Sequence, residues 1–248
     1  MEIRYAGGPT AVVEIGGLRL VTDPTFDPPG KYPIGDWALE KTSGPAFGFD
    51  DIGPVDAVLL SHDQHPDNLD NAGRIALSNV PLVLSTESAA SRLPGVPVRA
   101  LSNWAFHEFG ESLRVTGVPA QHGPPGTEHL LGEVTGFVLS GDGLPTVYVS
   151  GDNASLDVVR AVARWAGRVD VALLFAGRAR APFVDGDLTL SSEDAVRAAE
   201  ILGVRYVVPL HFEHWEHFTQ GRDTVARAFA GSGDRLRLLA PGERVSLS

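Results

Sequence analysis

Two histidines and two aspartates crowd into six residues at His62-Asp63-Gln64-His65-Pro66-Asp67. Imidazole and carboxylate groups at that density are metal-ligand donors. They follow a short apolar run, Val55 to Leu60, that reads as a strand buried on both faces. A buried strand is a rigid mount, and open α/β sheets keep their sites at the carboxyl ends of strands. A polar loop capping a helix that starts near Asp67 would have the same local composition. The rest of the chain tips the balance, because three more strand-like segments end in a donor: Ala120-Gln121-His122, Ser150-Gly151-Asp152 and Pro209-Leu210-His211. A lone histidine is ordinarily a core residue, but three of eight histidines plus an aspartate at equivalent strand ends form the pattern of a converging site. With no cysteine there is neither thiolate ligand nor thiol nucleophile, so a metal must be held by His, Asp or Glu.

The elements that must position these groups follow from pattern and punctuation. Ile3 to Tyr5, Ala11 to Ile15 and Leu18 to Thr22 read as strands, the last two joined by the Gly16-Gly17 turn of a hairpin. Residues 23–54 are rich in Pro and Gly yet carry Phe26, Tyr32, Trp37, Phe47 and Phe49, which suits an ordered loop. It is either a lid or wall of a pocket, with Trp37 a candidate substrate contact, or a loop packed on its own rings or at a subunit interface. Asp67 to Ser78 reads as a helix with Leu69, Ala72, Ile75 and Ala76 on one side. Strands follow at Pro81 to Ser85, Val96 to Leu101, Trp104 to Phe109, Ser112 to Val118, Val134 to Leu139 and Thr146 to Ser150, with a short helix over Glu87 to Arg92. Ser155 to Trp165 reads as a helix, and Ser191-Ser192-Glu193-Asp194 offers a capping box for another that ends at Gly203. Val169-Asp170-Val171-Ala172-Leu173-Leu174 matches Val55-Asp56-Ala57-Val58-Leu59-Leu60 at four of six positions, which suggests a single domain over 1–248 built of two pseudo-repeated ββα halves.

The 248 residues, 43% hydrophobic, can bury a sizeable core. No stretch has the apolar length of a membrane span and the amino terminus lacks a signal-peptide layout, so a cytoplasmic location is expected. The net charge of −11 argues against nucleic acid or an anionic membrane as partner, although a metal can invert the charge locally. The expected partner is a small-molecule substrate, and a homo-oligomer is left open.

Taken together, the opening hairpin running into Leu20-Val21-Thr22-Asp23-Pro24, the Ser61-His62 loop, Pro119-Ala120-Gln121-His122-Gly123, Ser150-Gly151-Asp152-Asn153 and Pro209-Leu210-His211-Phe212 resemble the metallo-β-lactamase fold superfamily. The resemblance is closer to its branch of ascorbate-6-phosphate lactonase-like metal-dependent hydrolases. It implies a four-layer αββα sandwich with the site along one edge of its two sheets. The family motif His-x-His-x-Asp-His is altered here. With one residue inserted, His65-Pro66-Asp67-Asn68 matches its second half and Asn68 stands where the last His belongs. Aligned without the insertion, Gln64 replaces the second His instead.

The resemblance further implies a first metal on His62, His65 and His122, and Asp152 bridging to a second position that uses Asp67 and His211. That second position should be weaker or empty without the missing imidazole. Zn²⁺ suits the donors best, with Mn²⁺ or Fe²⁺ as alternatives. A bound metal lowers the pKa of its water to about 7 and so supplies hydroxide, while Asp67 orients that water and accepts its proton. The implied activity is hydrolysis of a small ester, lactone, amide or phosphoester. The competing readings are a phosphodiesterase or nuclease on the same fold, and a binding module whose metal site has degenerated. Arg178 and Arg180 follow the strand Val171 to Phe175 on the same edge; they could hold an anionic group or lie in a solvated loop. His214 and His217 could line the pocket if their segment is helical, with His214 the preferred candidate.

Overall fold

The computed structural model describes residues 1–34 and 36–247. The chain opens with an antiparallel meander of β1 (Glu2–Gly7), β2 (Thr10–Ile15) and β3 (Leu18–Thr22). The tight β2–β3 connection uses Gly16 and Gly17, both with positive φ (60° and 80°), a conformation side chains resist. Next come β4 (Gly30–Ile34), β5 (Trp37–Lys41), β6 (Ala57–Leu59), α1 (Asn71–Ala76), β7 (Val83–Ser85), α2 (Glu87–Arg92) and β8 (Val98–Ala100). The second half runs through β9 (Phe106–Phe109), β10 (Leu113–Pro119), α3 (Glu128–Leu131), β11 (Thr135–Ser140), β12 (Val147–Val149), α4 (Leu156–Ala166) and β13 (Val171–Phe175). It closes with α5 (Ser192–Leu202), β14 (Tyr206–Leu210), α6 (Arg222–Ala228) and β15 (Arg244–Ser246).

Among the described residues these strands form a sheet of order β15-β1-β2-β3-β6-β7-β8 and another of order β14-β13-β12-β11-β10-β9. The period-two alternation of buried strands sorts their side chains into layers. Ile3, Tyr5, Val13 and Leu20 of the first sheet meet Val115, Phe137, Leu173 and Phe175 of the second in one buried cluster between the sheets. Ala172 and Leu174, on the opposite face of β13, pack against Val159 and Val162 of α4 and Ala195, Ala198 and Ala199 of α5. Val12, Val21 and Val58 on the outer face of the first sheet pack with Leu77, Ala89 and Leu93 around α1 and α2. The order is therefore helix, sheet, sheet, helix. β6 and β13, which carry the two similar six-residue runs, each pair in parallel with both neighbours.

Three local expectations change. Residues 23–54 are not an irregular loop: β4 and β5 form a two-stranded hairpin, with Tyr32 opposite Leu39 and Ile34 opposite Trp37. Pro33 sits in β4, tolerable because a two-stranded ribbon leaves one side without ladder bonds. Contacts distant in sequence hold the ribbon down: the Glu216 N–H donates to Glu40 O at 3.0 Å, and the Tyr32 ring lies 5.4 Å from that of Trp215.

The helix expected from Asp67 begins at Asn71, because Asp70 is its N-cap and accepts from the Gly73 N–H at 2.8 Å. Ile75 is 70% exposed instead of facing the core, and Leu69 is buried ahead of the helix. Gly73 is required here, since a Cβ would collide with the Pro24 carbonyl. Finally, the strand expected from Trp104 begins at Phe106, with Trp104 at φ 72° and its ring 5.1 Å from that of Trp165, tilted by 35°.

One buried ion pair ties the hairpin to α1. Lys41 Nζ lies 2.8 Å from Asp70 Oδ2, with the two side chains 2% and 0% exposed. Removing one partner of such a pair leaves a buried charge uncompensated, at a cost of about 3–5 kcal/mol. Lys41→Ala is expected to lose that much in urea unfolding. A loss below about 1 kcal/mol would mean the pair behaves like an exposed one.

Candidate metal centre

The topology explains why the donors meet. β10 and β12 are both antiparallel to β11, and β12, β13 and β14 run in parallel, so β10, β12 and β14 all end on the same edge of the second sheet. Their ends deliver His122, Asp152 and His211, while β6 of the first sheet delivers Ser61 and His62. His211 is held at φ 55°, unusual for a non-glycine residue, and its N–H donates to Gly8 O at 2.7 Å. Such strained positions persist where surrounding structure fixes them, and they cluster at functional sites.

Two donor groups result, with the ligand atoms in each within 4.8 Å of one another: His62, His65 and His122, and Asp67, Asp152 and His211. In the first, His62 Nε2 is 2.9 Å and His122 Nε2 3.3 Å from His65 Nδ1. Asp152 spans the two groups. Its Oδ2 lies 3.6 Å from His122 Nε2 and its Oδ1 3.3 Å from His211 Nε2. His211 Nε2 is also 3.2 Å from Asp67 Oδ2, and His217 Nε2 is 3.0 Å from that same oxygen.

These separations fit atoms gathered around a cation. Tetrahedral ligands about 2.0–2.1 Å from a metal sit about 3.3 Å from each other. Both ring nitrogens of His211 and Asp67 Oδ1 are buried without a hydrogen-bond partner, despite the short approaches. Orphaned polar atoms of this kind are costly unless something else satisfies them, and a cation would. Outer partners orient part of the set. His122 Nδ1 donates to Leu188 O at 2.9 Å, which leaves Nε2 free to coordinate, and His62 Nδ1 is 3.0 Å from Ser61 Oγ. Asp23 fixes the His62 loop by accepting from the Ser61 N–H at 2.6 Å, and burial raises its carboxyl to about 7.

The electrostatics separate the two groups. Burial, with the neighbouring imidazoles, lowers His62 well below the usual range and brings His65 to about 4, so both present neutral nitrogens. Burial opposes ionisation of Asp67 and Asp152, yet the facing imidazoles outweigh it and hold both well below the ordinary carboxylate range. At His211 burial favours the neutral ring, but Asp152 and Asp67 together raise it to about 10.

A proton must therefore leave His211 when a metal enters the second group. Its affinity should rise by about tenfold per pH unit below 10. In the first group, burial holds His62 and His65 neutral, so these two imidazoles offer little such competition. Equilibrating metal-loaded protein between pH 8 and pH 5 and measuring bound metal should show the second ion leaving first. Simultaneous loss of both would contradict the assignment.

A small cavity of about 70 Å³ lies over the donors. His65, Asp67, His122 and His217 line its floor, and Trp37, Leu39, Leu131, Phe183 and Leu188 its walls. Trp37 lines this cavity, 5.9 Å from Phe183 and 6.5 Å from His217 ring to ring. The arginines do not. Arg178 and Arg180 both pair with Asp187, at 3.0 and 2.5 Å, and Ala179 and Ala181 face the cavity in their place. His214 is also displaced, at φ 79° with its ring against Gly7, where a Cβ could not fit. The segment is not helical: bridges from Trp215 to Lys41 and from Phe218 to Ala179 hold it, and they present His217 to the cavity. The repeated His in His211-Phe212-Glu213-His214-Trp215-Glu216-His217 was the available signal, but helical spacing chose the wrong ring.

Residues 18–212 match the β-lactamase superfamily domain. The chain belongs to the metallo-β-lactamase superfamily. A metal-dependent hydrolase of Thermococcus kodakarensis is 30% identical over 249 residues, covering 100% of both chains. Among solved structures, the isothiocyanate hydrolase from Delia radicum gut bacteria superposes with a TM-score of 0.85 at 23% identity, covering 100% of this chain and 99% of that one. A metallo hydrolase from the archaeon Ignicoccus hospitalis gives 0.74 at 21% identity, covering 100% and 98%. This superfamily member is a metal-dependent hydrolase. Among its described residues no helix is long and apolar enough to cross a membrane.

Proposed function

We propose that this hydrolase acts on a small, uncharged ester, lactone or amide with an apolar substituent. The observation that carries the reading is the juxtaposition of two donor groups sharing Asp152 with an apolar-walled cavity directly above them. His62, His65 and His122 would hold one ion, and Asp67, Asp152 and His211 a second, with Zn²⁺ best suited to the imidazole-rich first group and Mn²⁺ or Fe²⁺ compatible with the carboxylate-rich second. The metal supplies Lewis acidity toward the substrate oxygen and a water of lowered pKa.

The chain's own groups do the rest. Asp67 faces the cavity as a carboxylate held well below its usual range. Such a group accepts a hydrogen bond better than it keeps a proton, so it orients the attacking water, takes its proton only transiently and delivers it to the departing oxygen or nitrogen of the substrate. Trp37, Phe183 and Leu188 exclude bulk water and bind the apolar substituent. A phosphoester fits less well, because no Lys or Arg is among the described cavity residues and both nearby arginines are paired with Asp187.

The test is a panel of aliphatic lactones, aryl esters, an aryl amide, an isothiocyanate and a phosphodiester, assayed on chelator-stripped protein reloaded with Zn²⁺, Mn²⁺ or Fe²⁺. The isothiocyanate is included because a solved structure of this fold carries that activity. Turnover of neutral apolar substrates, only after reloading, is the expected result. A preference for the phosphodiester would overturn the substrate reading.

A further inference from the structure

In the alignment with one inserted residue, Asn68 stands where the superfamily motif has an imidazole; its amide nitrogen is committed to neighbouring oxygens, while its Oδ1 is buried without a partner. Its amide nitrogen lies 3.4 Å from Asp23 Oδ2, 3.3 Å from Asp152 Oδ1 and 3.5 Å from Ser61 Oγ. That NH₂ is a donor with no lone pair for a cation and braces the carboxylates around it; the remaining Oδ1 is a neutral amide oxygen, a weaker ligand for a zinc-like ion than an imidazole nitrogen.

An imidazole nevertheless reaches this end of the site, from a different segment. His217 Nε2 is 3.0 Å from Asp67 Oδ2, the oxygen that His211 Nε2 approaches at 3.2 Å from its own strand end. The His217 side chain is 6% exposed, and its Nδ1 has no hydrogen-bond partner. The ring is held where it is by backbone on two sides. The Arg180 N–H donates to His217 O at 3.1 Å, and the Glu216 N–H ties the preceding residue to β5 at 3.0 Å. Phe218 packs 4.4 Å away and Trp37 6.5 Å away, ring to ring.

We propose that His217 supplies, at the second metal position, the imidazole that Asn68 lacks, so that the donors there are Asp67, Asp152, His211 and His217. The inference rests on reading the site as a metal centre and adds a ligand that the superfamily motif does not contain. It also explains how the altered motif keeps a second ion: the lost His is replaced in space by one nearly 150 residues further along the chain, carried by the segment docked on the β4–β5 hairpin.

The experiment is titration of chelator-stripped protein with Co²⁺ and with Zn²⁺, counting ions per chain and recording the cobalt visible spectrum. Wild type should take up two ions. His217→Ala should retain the first with unchanged affinity and bind the second more weakly by more than the roughly 10–100-fold that loss of an outer partner costs. The double variant Asn68→His/His217→Ala should regain it. Should His217→Ala not fold, His217→Gln serves: its cobalt spectrum must change for the second ion and not for the first. Two ions bound to His217→Ala with wild-type affinity, or an unchanged spectrum in His217→Gln, would overturn the proposal. So would a wild type that takes up a single ion. A wild type that binds none would defeat the metal-centre reading itself.

Discussion

Asp152→Ala is expected to abolish turnover and to lower the occupancy of both metal positions, while the chain stays folded. Asp152 contacts both groups, at 3.6 Å from His122 Nε2 through one oxygen and 3.3 Å from His211 Nε2 through the other. A Lewis-acid metal contributes several kcal/mol to the transition state, and at about 1.4 kcal/mol per tenfold its loss lowers kcat/KM by about 10³-fold or more. The fold should survive because the sheets are held by the buried cluster between them, in which Asp152 takes no part. His122→Ala should remove the first ion and leave the second. Unchanged metal content in both variants would remove the basis of the site.

Asp67→Asn should give the second large effect. The amide is nearly the same size as the carboxylate, but it cannot take a proton from water and binds a cation poorly. Proton transfer by a positioned group is worth about 10²–10⁴-fold, and kcat should fall by that amount with KM little changed, since the cavity walls of Trp37, Phe183 and Leu188, proposed to hold the substrate, are untouched. Metal analysis should find the first ion retained and the second weakened. A fall in kcat below tenfold would place the water's acceptor elsewhere.

The gathering of His62, His122, Asp152 and His211 at one sheet edge was legible in the sequence for a physical reason, while His65 and Asp67 came with the family resemblance. Buried strands are marked by apolar runs, and a donor at the end of such a run is carried to the sheet edge wherever the strand lies. Which of His214 and His217 faces the cavity, and where the arginines point, were not legible for the converse reason. Their direction depends on partners far away in the chain: Trp215 bridges to Lys41, and Arg178 and Arg180 are drawn off by Asp187. The β4–β5 hairpin was hidden similarly, because Pro33 and the surrounding glycines read as loop while the contacts that order the ribbon come from residues 214–216. The start of α1 was obscured because Asp67 resembles a cap, although the capping role belongs to Asp70 and Asp67 faces the donors.

The central claim is that one chain without cysteine gathers imidazoles and carboxylates from four strand ends into a metal centre. Elemental analysis of metal per chain, on protein purified without chelator, tests it most directly. Close to two equivalents of Zn, Mn or Fe is the predicted result. A chain that stays free of metal after incubation with excess Zn²⁺ and Mn²⁺ would contradict it.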